Sequence, residues 1–331
     1  MANQINSLLS NITGHKIIMP VYHAIANSSP IHLKHLYRVR SIEEFEKDLD
    51  FLLKNYHPIS ITELLNRVET GKKTKSNEFI LTFDDGLREI YDVVRPILLS
   101  KGIPALVFLN PGFIDNKALM YRYKASILLD NLLTGKASPS LLTEIKVVLN
   151  MNGSDPRSVK KSILGLGYSD TEKFENIANL LNVDFKEYLK NNKPYLDIKQ
   201  INKMIEDGFI FGGHSIDHPD YSNLSLEMQL KQTFQSVEMV KRRTDQKYGL
   251  FAFPFTDFGI SRMFFDKMYA SMEPKIHASF GTAGIKNDSY PQHFQRIPVE
   301  NFDGSLSSTL LHEYLYYLIK VPFRKNKIIR R

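Results

Sequence analysis

Two short polar runs carry most of the chemistry that can be read from this chain. TFDDG, residues 82–86, sets two carboxylates side by side at the end of the apolar run FILTF, residues 79–83. Adjacent carboxylates at the end of a buried strand cannot both stay unpaired without a large desolvation cost. A metal ion would compensate one and keep it ionised, leaving the other to act as a base. Gly86 permits a tight turn directly after the pair. HSIDH, residues 214–218, places two imidazoles four positions apart, with Gly212 and Gly213 before them and Pro219 after. A single helical turn or a compact loop aims both at one ion. Asp85, His214 and His218 then form a two-His, one-carboxylate set with positions open for water and substrate. The bland readings are a helix-capping Asp turn and two surface histidines, and finding both motifs in one chain weakens each. The sequence contains no cysteine, so thiolate ligands and thiolate nucleophiles are excluded. Zinc is the first expectation for the ion, and cobalt, nickel or manganese would also fit.

These residues need strands to hold them. IIMPVY (17–22), FILTF, IPALVFLN (103–110), FIFGG (209–213), GLFAFPF (249–255) and KIHASFG (275–281) read as short buried strands, several ending in polar residues. Helical patterns alternate with them. SIEEFEKDLDFLLKNY starts at a Ser41 cap and repeats Phe45, Leu49 and Leu52 at helical spacing. LREIYDVVRPILLSKG predicts a helix bent near Pro96 and stopped at Gly102. SLEMQLKQTFQSVEMVKRR is amphipathic, with Leu226, Leu230, Phe234 and Val237 on one side. The alternation predicts an α/β fold with chemistry at the C-terminal strand ends, whether barrel or open sheet. Residues 119–200 show helical patterns and few strand signals, and predict a helical insertion within one domain spanning 1–331.

With these motifs in order, the chain resembles the polysaccharide deacetylases, the chitooligosaccharide deacetylase-like carbohydrate esterases. The resemblance covers about 17–118 and 201–302. It implies a distorted, incomplete (β/α) barrel of seven strands. It also implies Asp84 as catalytic base, Asp85, His214 and His218 as metal ligands, and removal of an N-acetyl group from an amino sugar with release of acetate. FAFPF, residues 251–255, resembles the third family motif, so Pro254 and Phe255 are expected at the substrate groove. Many relatives carry an arginine just before this segment to orient the base. Here the nearest are Arg242 and Arg243, in the preceding helix. The general acid of the family is a late histidine. His277 is assigned to that role, with His293 and His312 behind it. His23, in VYHAI, matches an early segment of one family branch and is expected near substrate. Tyr121 and Arg122, followed by Tyr123, open the insertion and are expected to line the sugar site.

The whole chain sets outer bounds. Its 331 residues and 43% hydrophobic content suffice for a sizeable core. The formal charge is +7, but residues 312–331 hold six Lys and Arg side chains against Glu313 alone. Charge confined to a basic C-terminal tail argues against a nucleic-acid-binding face and for a local contact with phosphate or anionic lipid. The N-terminus lacks a basic start and continuous apolar run, which predicts a cytoplasmic protein, peripheral at the inner membrane face through its tail. The expected substrate is therefore an acetylated amino sugar or lipid-linked glycan. Alternatives are hydrolysis of non-sugar C–N bonds, glycan binding with weak catalysis, or a scaffold using the insertion. The sequence does not fix the oligomeric state.

Overall fold

Apolar residues that alternate between two buried faces make the central strands. The structure, a computed structural model, describes residues 2–72, 74, 76–135, 138–151, 156–300 and 304–331. Its main sheet is wholly parallel. The strands run in the order His293–Gln295, Ala278–Gly281, Leu250–Ala252, Ile210–Gly213, Ala105–Leu109, Leu81–Phe83, Pro20–Tyr22 and Ile297–Pro298. In the Ala105–Leu109 strand, Leu106 and Phe108 pack with Leu250, Ala278 and Phe280, while Val107 and Leu109 join the cluster that includes Ile90, Val94 and Ile201. Burial on both faces is the usual state of parallel sheets covered by helices.

The ends of the strand order are consecutive in the chain, separated only by Arg296. The Arg296 N–H donates to Gly281 O at 3.1 Å, and the Ile297 N–H donates to Met19 O at 2.9 Å. One segment therefore pairs with the Ala278–Gly281 strand, passes Arg296, and pairs with the Pro20–Tyr22 strand. The sheet curls until its edges meet there. Taken as one segment, residues 293–298 complete a seven-stranded, distorted (β/α) barrel.

The connecting helices follow their local signals. Ser41 caps Ile42–Asn55 through a capping box with Glu44, and Ser225 caps Leu226–Thr244. The helix around Pro96 begins as a π-helical turn, Ile90–Val94, before Arg95–Lys101, and Gly102 ends it with φ 63°. Proline has no N–H for the regular ladder, so a register change beside it is understandable. Between Tyr121 and Asn192 lie the helices Tyr121–Thr134, Pro139–Val148, Pro156–Leu164, Thr171–Leu180 and Phe185–Asn192. They build their own apolar cluster, including Leu128, Ile145, Ile163, Phe174 and Ile177.

The basic C-terminal segment is built into the fold. It continues the helix Leu306–Lys320, which packs against an N-terminal helix, Ala2–Thr13. Asn326 is buried, and the Arg330 side chain is only 2% exposed. Among the described residues no helix is long and apolar enough to cross a membrane.

Candidate metal centre and catalytic cleft

Asp84 and Asp85 leave the Leu81–Phe83 strand at its C-terminal end. The Asp84 N–H still donates to Tyr22 O at 3.0 Å, so the first carboxylate is fixed to the barrel rim. Asp85 then turns into the left-handed region, φ 67°, followed by Gly86 at φ 61°. The positive φ favours glycine at 86, and a Cβ there would also sit 2.6 Å from Leu109 Cδ2, so that side chain would have to move. The HSIDH loop leaves the Ile210–Gly213 strand similarly. Its backbone is stitched by His214 N–H to Leu109 O at 2.8 Å, Gly112 N–H to Ile216 O at 2.9 Å, and His218 N–H to Ser215 Oγ at 3.0 Å. Ser215 and His218 have φ near 61°, and Phe255 has φ 56°. Left-handed non-glycine residues cost about 1–2 kcal/mol each. Their clustering with Asp85 on facing loops shows a surrounding structure that enforces them.

The loops bring three ligand atoms together. Asp85 Oδ1 lies 3.5 Å from His214 Nε2 and 3.3 Å from His218 Nε2. Burial pushes both imidazoles below their usual pKa, His218 to about 4, so both are neutral near pH 7. His214 Nδ1 is 2.9 Å from Ala252 O. That carbonyl can only accept, so Nδ1 carries the proton and the Nε2 lone pair faces Asp85. Asp85 Oδ1 and His218 Nδ1 are buried without hydrogen-bond partners, whereas Asp85 Oδ2 accepts from Tyr123 Oη at 2.6 Å. An imidazole lone pair facing an unpartnered buried carboxylate oxygen repels it unless a cation lies between them. The donor set therefore fits a divalent ion of the type bound by histidine and carboxylate.

Asp84 stands beside this set and is managed differently. Arg296, fully buried, donates from Nη1 to Asp84 Oδ1 at 2.6 Å and from Nη2 to Oδ2 at 2.7 Å. The guanidinium also lies 5.1 Å from the centre of the Phe108 ring, inside the barrel. Burial acts to raise the Asp84 pKa, but the Arg296 charge and its two hydrogen bonds override this and hold it at about 2. Asp84 Oδ2 is 3.8 Å from His214 Nε2, turned towards the ligand set.

A cavity of about 450 Å³ opens over these groups, and His23, Tyr37, Arg122, Tyr123 and Phe255 are among its lining residues. His23 Nδ1 lies 2.5 Å from Glu300 Oε2, and the His23 N–H donates to Glu300 Oε1 at 2.8 Å. Burial opposes a charge on His23, but Glu300 more than compensates and raises its pKa to about 10. His23 is therefore an imidazolium at the cleft wall. The Phe255 ring meets His218 edge-on, centroids 4.5 Å apart, and Thr282 Oγ1 holds the Phe255 carbonyl at 2.8 Å.

Three other sequence-predicted residues lie elsewhere. His277 precedes the Ala278–Gly281 strand, whereas the site is built from residues that follow strands. Its Nδ1 accepts from the Gly249 N–H at 3.0 Å and its ring faces Tyr248. That placement removes it from the acid role, for which position before rather than after the strand was the missing consideration. Tyr121 packs edge-on against Tyr168 outside the cleft lining, and Pro254 is buried and likewise outside that lining. Sequence reasoning missed Arg296 and Glu300. Arg243 merely reaches Pro111 O at 3.4 Å, so the guanidinium that orients Asp84 comes from the opposite end of the barrel order. A lone charge in the strand run FQRIPV was the available signal for Arg296.

Residues 173–262, including HSIDH and FAFPF, match the family model described as polysaccharide deacetylase. The resemblance is to the polysaccharide deacetylases. Solved structures extend the deacetylase likeness to the fold of most of the chain. Streptococcus pyogenes deacetylase PplD, solved in complex with acetate, is 16% identical with a TM-score of 0.56, over 90% of this chain and 98% of that one. IcaB from Ammonifex degensii is 15% identical with a TM-score of 0.54, covering 90% and 95%. A de-N-acetylase from Aggregatibacter actinomycetemcomitans is 12% identical with a TM-score of 0.55, covering 90% and 99%. No curated protein matches the chain.

Proposed function

We propose that this protein is a metal-dependent hydrolase that removes the N-acetyl group from an amino sugar in a glycan or glycolipid precursor, releasing acetate. The observation that carries the reading is the separation of the two adjacent carboxylates into different tasks. Asp85 faces two neutral imidazoles as a ligand, while Asp84 is held ionised by the Arg296 fork as a base. The family model and the folds of the named deacetylases support the same reading.

A divalent ion held by Asp85, His214 and His218, with zinc the first candidate, would supply Lewis-acid polarisation of the acetamide carbonyl. Asp84 accepts the proton of the attacking water through the oxygen turned towards the cleft. Arg296 keeps that carboxylate oriented and ionised before the proton moves. Phe255 lines the cleft, and its backbone N–H is the donor we assign to the developing oxyanion. His23, charged and oriented by Glu300, gives its Nε2 proton to the leaving amine. Arg122 and Tyr37 line the cleft for the sugar.

The substrate we favour is lipid-linked, with the protein resting on the cytoplasmic membrane face. Ile319 and Phe323 are exposed beside Arg324 and Lys325, an apolar and basic combination suited to anionic lipid. Acetate release should be measured on N-acetylhexosamine oligomers, free and lipid-linked in anionic vesicles. The reading predicts release with stoichiometric free amine, faster on vesicles. No acetate from any acetamido sugar would refute the deacetylase assignment, and equal rates on both forms would refute the membrane part.

A further inference from the structure

We propose that Arg330 is a positioning residue that clamps the Pro254–Asp257 loop and thereby sets Phe255 at the catalytic cleft. The inference rests on the deacetylase reading for its effect on turnover, but its structural part stands apart from it. The C-terminal segment returns along the barrel through Asn287 N–H to Asn326 O at 3.1 Å, Ile328 N–H to Asn287 O at 2.9 Å and Arg262 N–H to Arg331 O at 2.8 Å. This run inserts the Arg330 guanidinium between two buried carboxylates. Nη2 donates to Asp257 Oδ2 and to Asp288 Oδ2, the latter at 2.6 Å. Nη1 donates to the Asp257 carbonyl at 3.1 Å, and the cation lies 3.9 Å from the centre of the Phe265 ring.

Asp257 is the point where this anchor meets the cleft. Its Oδ2 also accepts from Gln295 Nε2 at 2.8 Å and lies 3.1 Å from His293 Nε2. Its Oδ1 accepts weakly from the Thr282 N–H at 3.4 Å. Thr282 in turn holds the Phe255 carbonyl through Oγ1. Phe255, two residues before Asp257, has the left-handed φ and presses its ring edge against His218. Such a conformation persists only where neighbours over-determine it. Arg330 bonds both the side chain and the carbonyl of Asp257, so it fixes the direction in which the chain leaves the loop. Without it, the carboxylates of Asp257 and Asp288, whose nearest oxygens lie within 4.8 Å of each other, would share one buried space with no cation between them.

A residue that merely ties down the C-terminus would lower stability and leave turnover alone. A clamp on Phe255 does more, and small displacements at a reacting centre cost up to about 100-fold. In zinc-loaded protein we expect Arg330→Ala to lower kcat by ~10- to 100-fold, with zinc content unchanged and KM altered far less. Guanidinium chloride at low, non-denaturing concentration should restore turnover by refilling the vacated space. Arg330→Lys keeps one charge and loses the fork, so it should fold and show an intermediate loss. Amide exchange at residues 255–258 should rise in both Arg330 variants and stay unchanged in a Lys325→Ala control. Wild-type kcat in Arg330→Lys together with wild-type exchange at 255–258 would overturn the proposal. If the wild-type protein releases no acetate, the deacetylase reading fails, and the exchange comparison alone decides the clamp.

Discussion

Arg296→Met removes the only fork that holds Asp84 and leaves a carboxylate, 3% exposed, facing the barrel interior. The structure sets the scale of the loss. Burial acts to raise the Asp84 pKa, yet the folded protein holds it at about 2 against an ordinary 3.8. That difference corresponds to about 2–3 kcal/mol, at about 1.4 kcal/mol for each tenfold change in proton affinity. Arg296 is the largest of the charges that offset burial, with His214 and His23 adding to it. Breaking a buried pair by deleting one partner costs about 3–5 kcal/mol. The sign follows from the lowered folded pKa. The stabilisation is fully present above about pH 4 and is lost as pH falls through about 2. Urea unfolding at pH 7 should therefore show Arg296→Met destabilised by ~3–5 kcal/mol, and the gap should narrow as the pH is taken towards 3. The acid limb of the acetate-release profile should move to higher pH, because burial raises the Asp84 pKa once the Arg296 charge is gone. A variant that unfolds at the wild-type urea concentration and keeps the wild-type acid limb would refute the account of Asp84.

Two further substitutions test the neighbouring groups. His23→Gln should lower kcat by ~10²- to 10⁴-fold and abolish the alkaline limb of the pH profile. His23 has its pKa raised to about 10, so its charge contributes stability fully below about 6.5 and loses it as pH rises through about 10. Wild-type kcat in this variant would remove His23 from the acid role. Tyr123→Phe deletes the 2.6 Å hydrogen bond to Asp85 and should weaken zinc binding by ~10- to 100-fold in a chelator competition titration. Unchanged affinity would reduce Tyr123 to a packing residue.

The ligand and base residues were legible because each pair lies within five positions and follows an apolar run. Local backbone turns bring such neighbours to one place whatever the distant fold does. The barrel was legible for a related reason, since the strand and helix periodicities alternate along the chain. Arg296 was not legible as the partner of Asp84, 212 positions away. Its role arises where one segment leaves Gly281 and joins Met19, and no local pattern marks that closure. Glu300 meets His23 across the same closure. The His277 assignment followed residue type and neighbouring strand character, but a histidine before a parallel strand reaches the opposite end from one after it. The basic tail read as a contact for phosphate or anionic lipid because its charges cluster within twelve residues. The two buried carboxylates that consume Arg330 come from separate loops.

The central claim is that adjacent carboxylates divide metal binding from proton transfer. Zinc titration of the metal-free protein by calorimetry, with acetate release followed on the same samples, tests this most directly. The account predicts one tight site in the wild type, tight binding with turnover lost at least ~10²-fold in Asp84→Asn, and both binding and turnover lost in His214→Ala. Tight zinc binding in His214→Ala, or undiminished acetate release from Asp84→Asn, would contradict it.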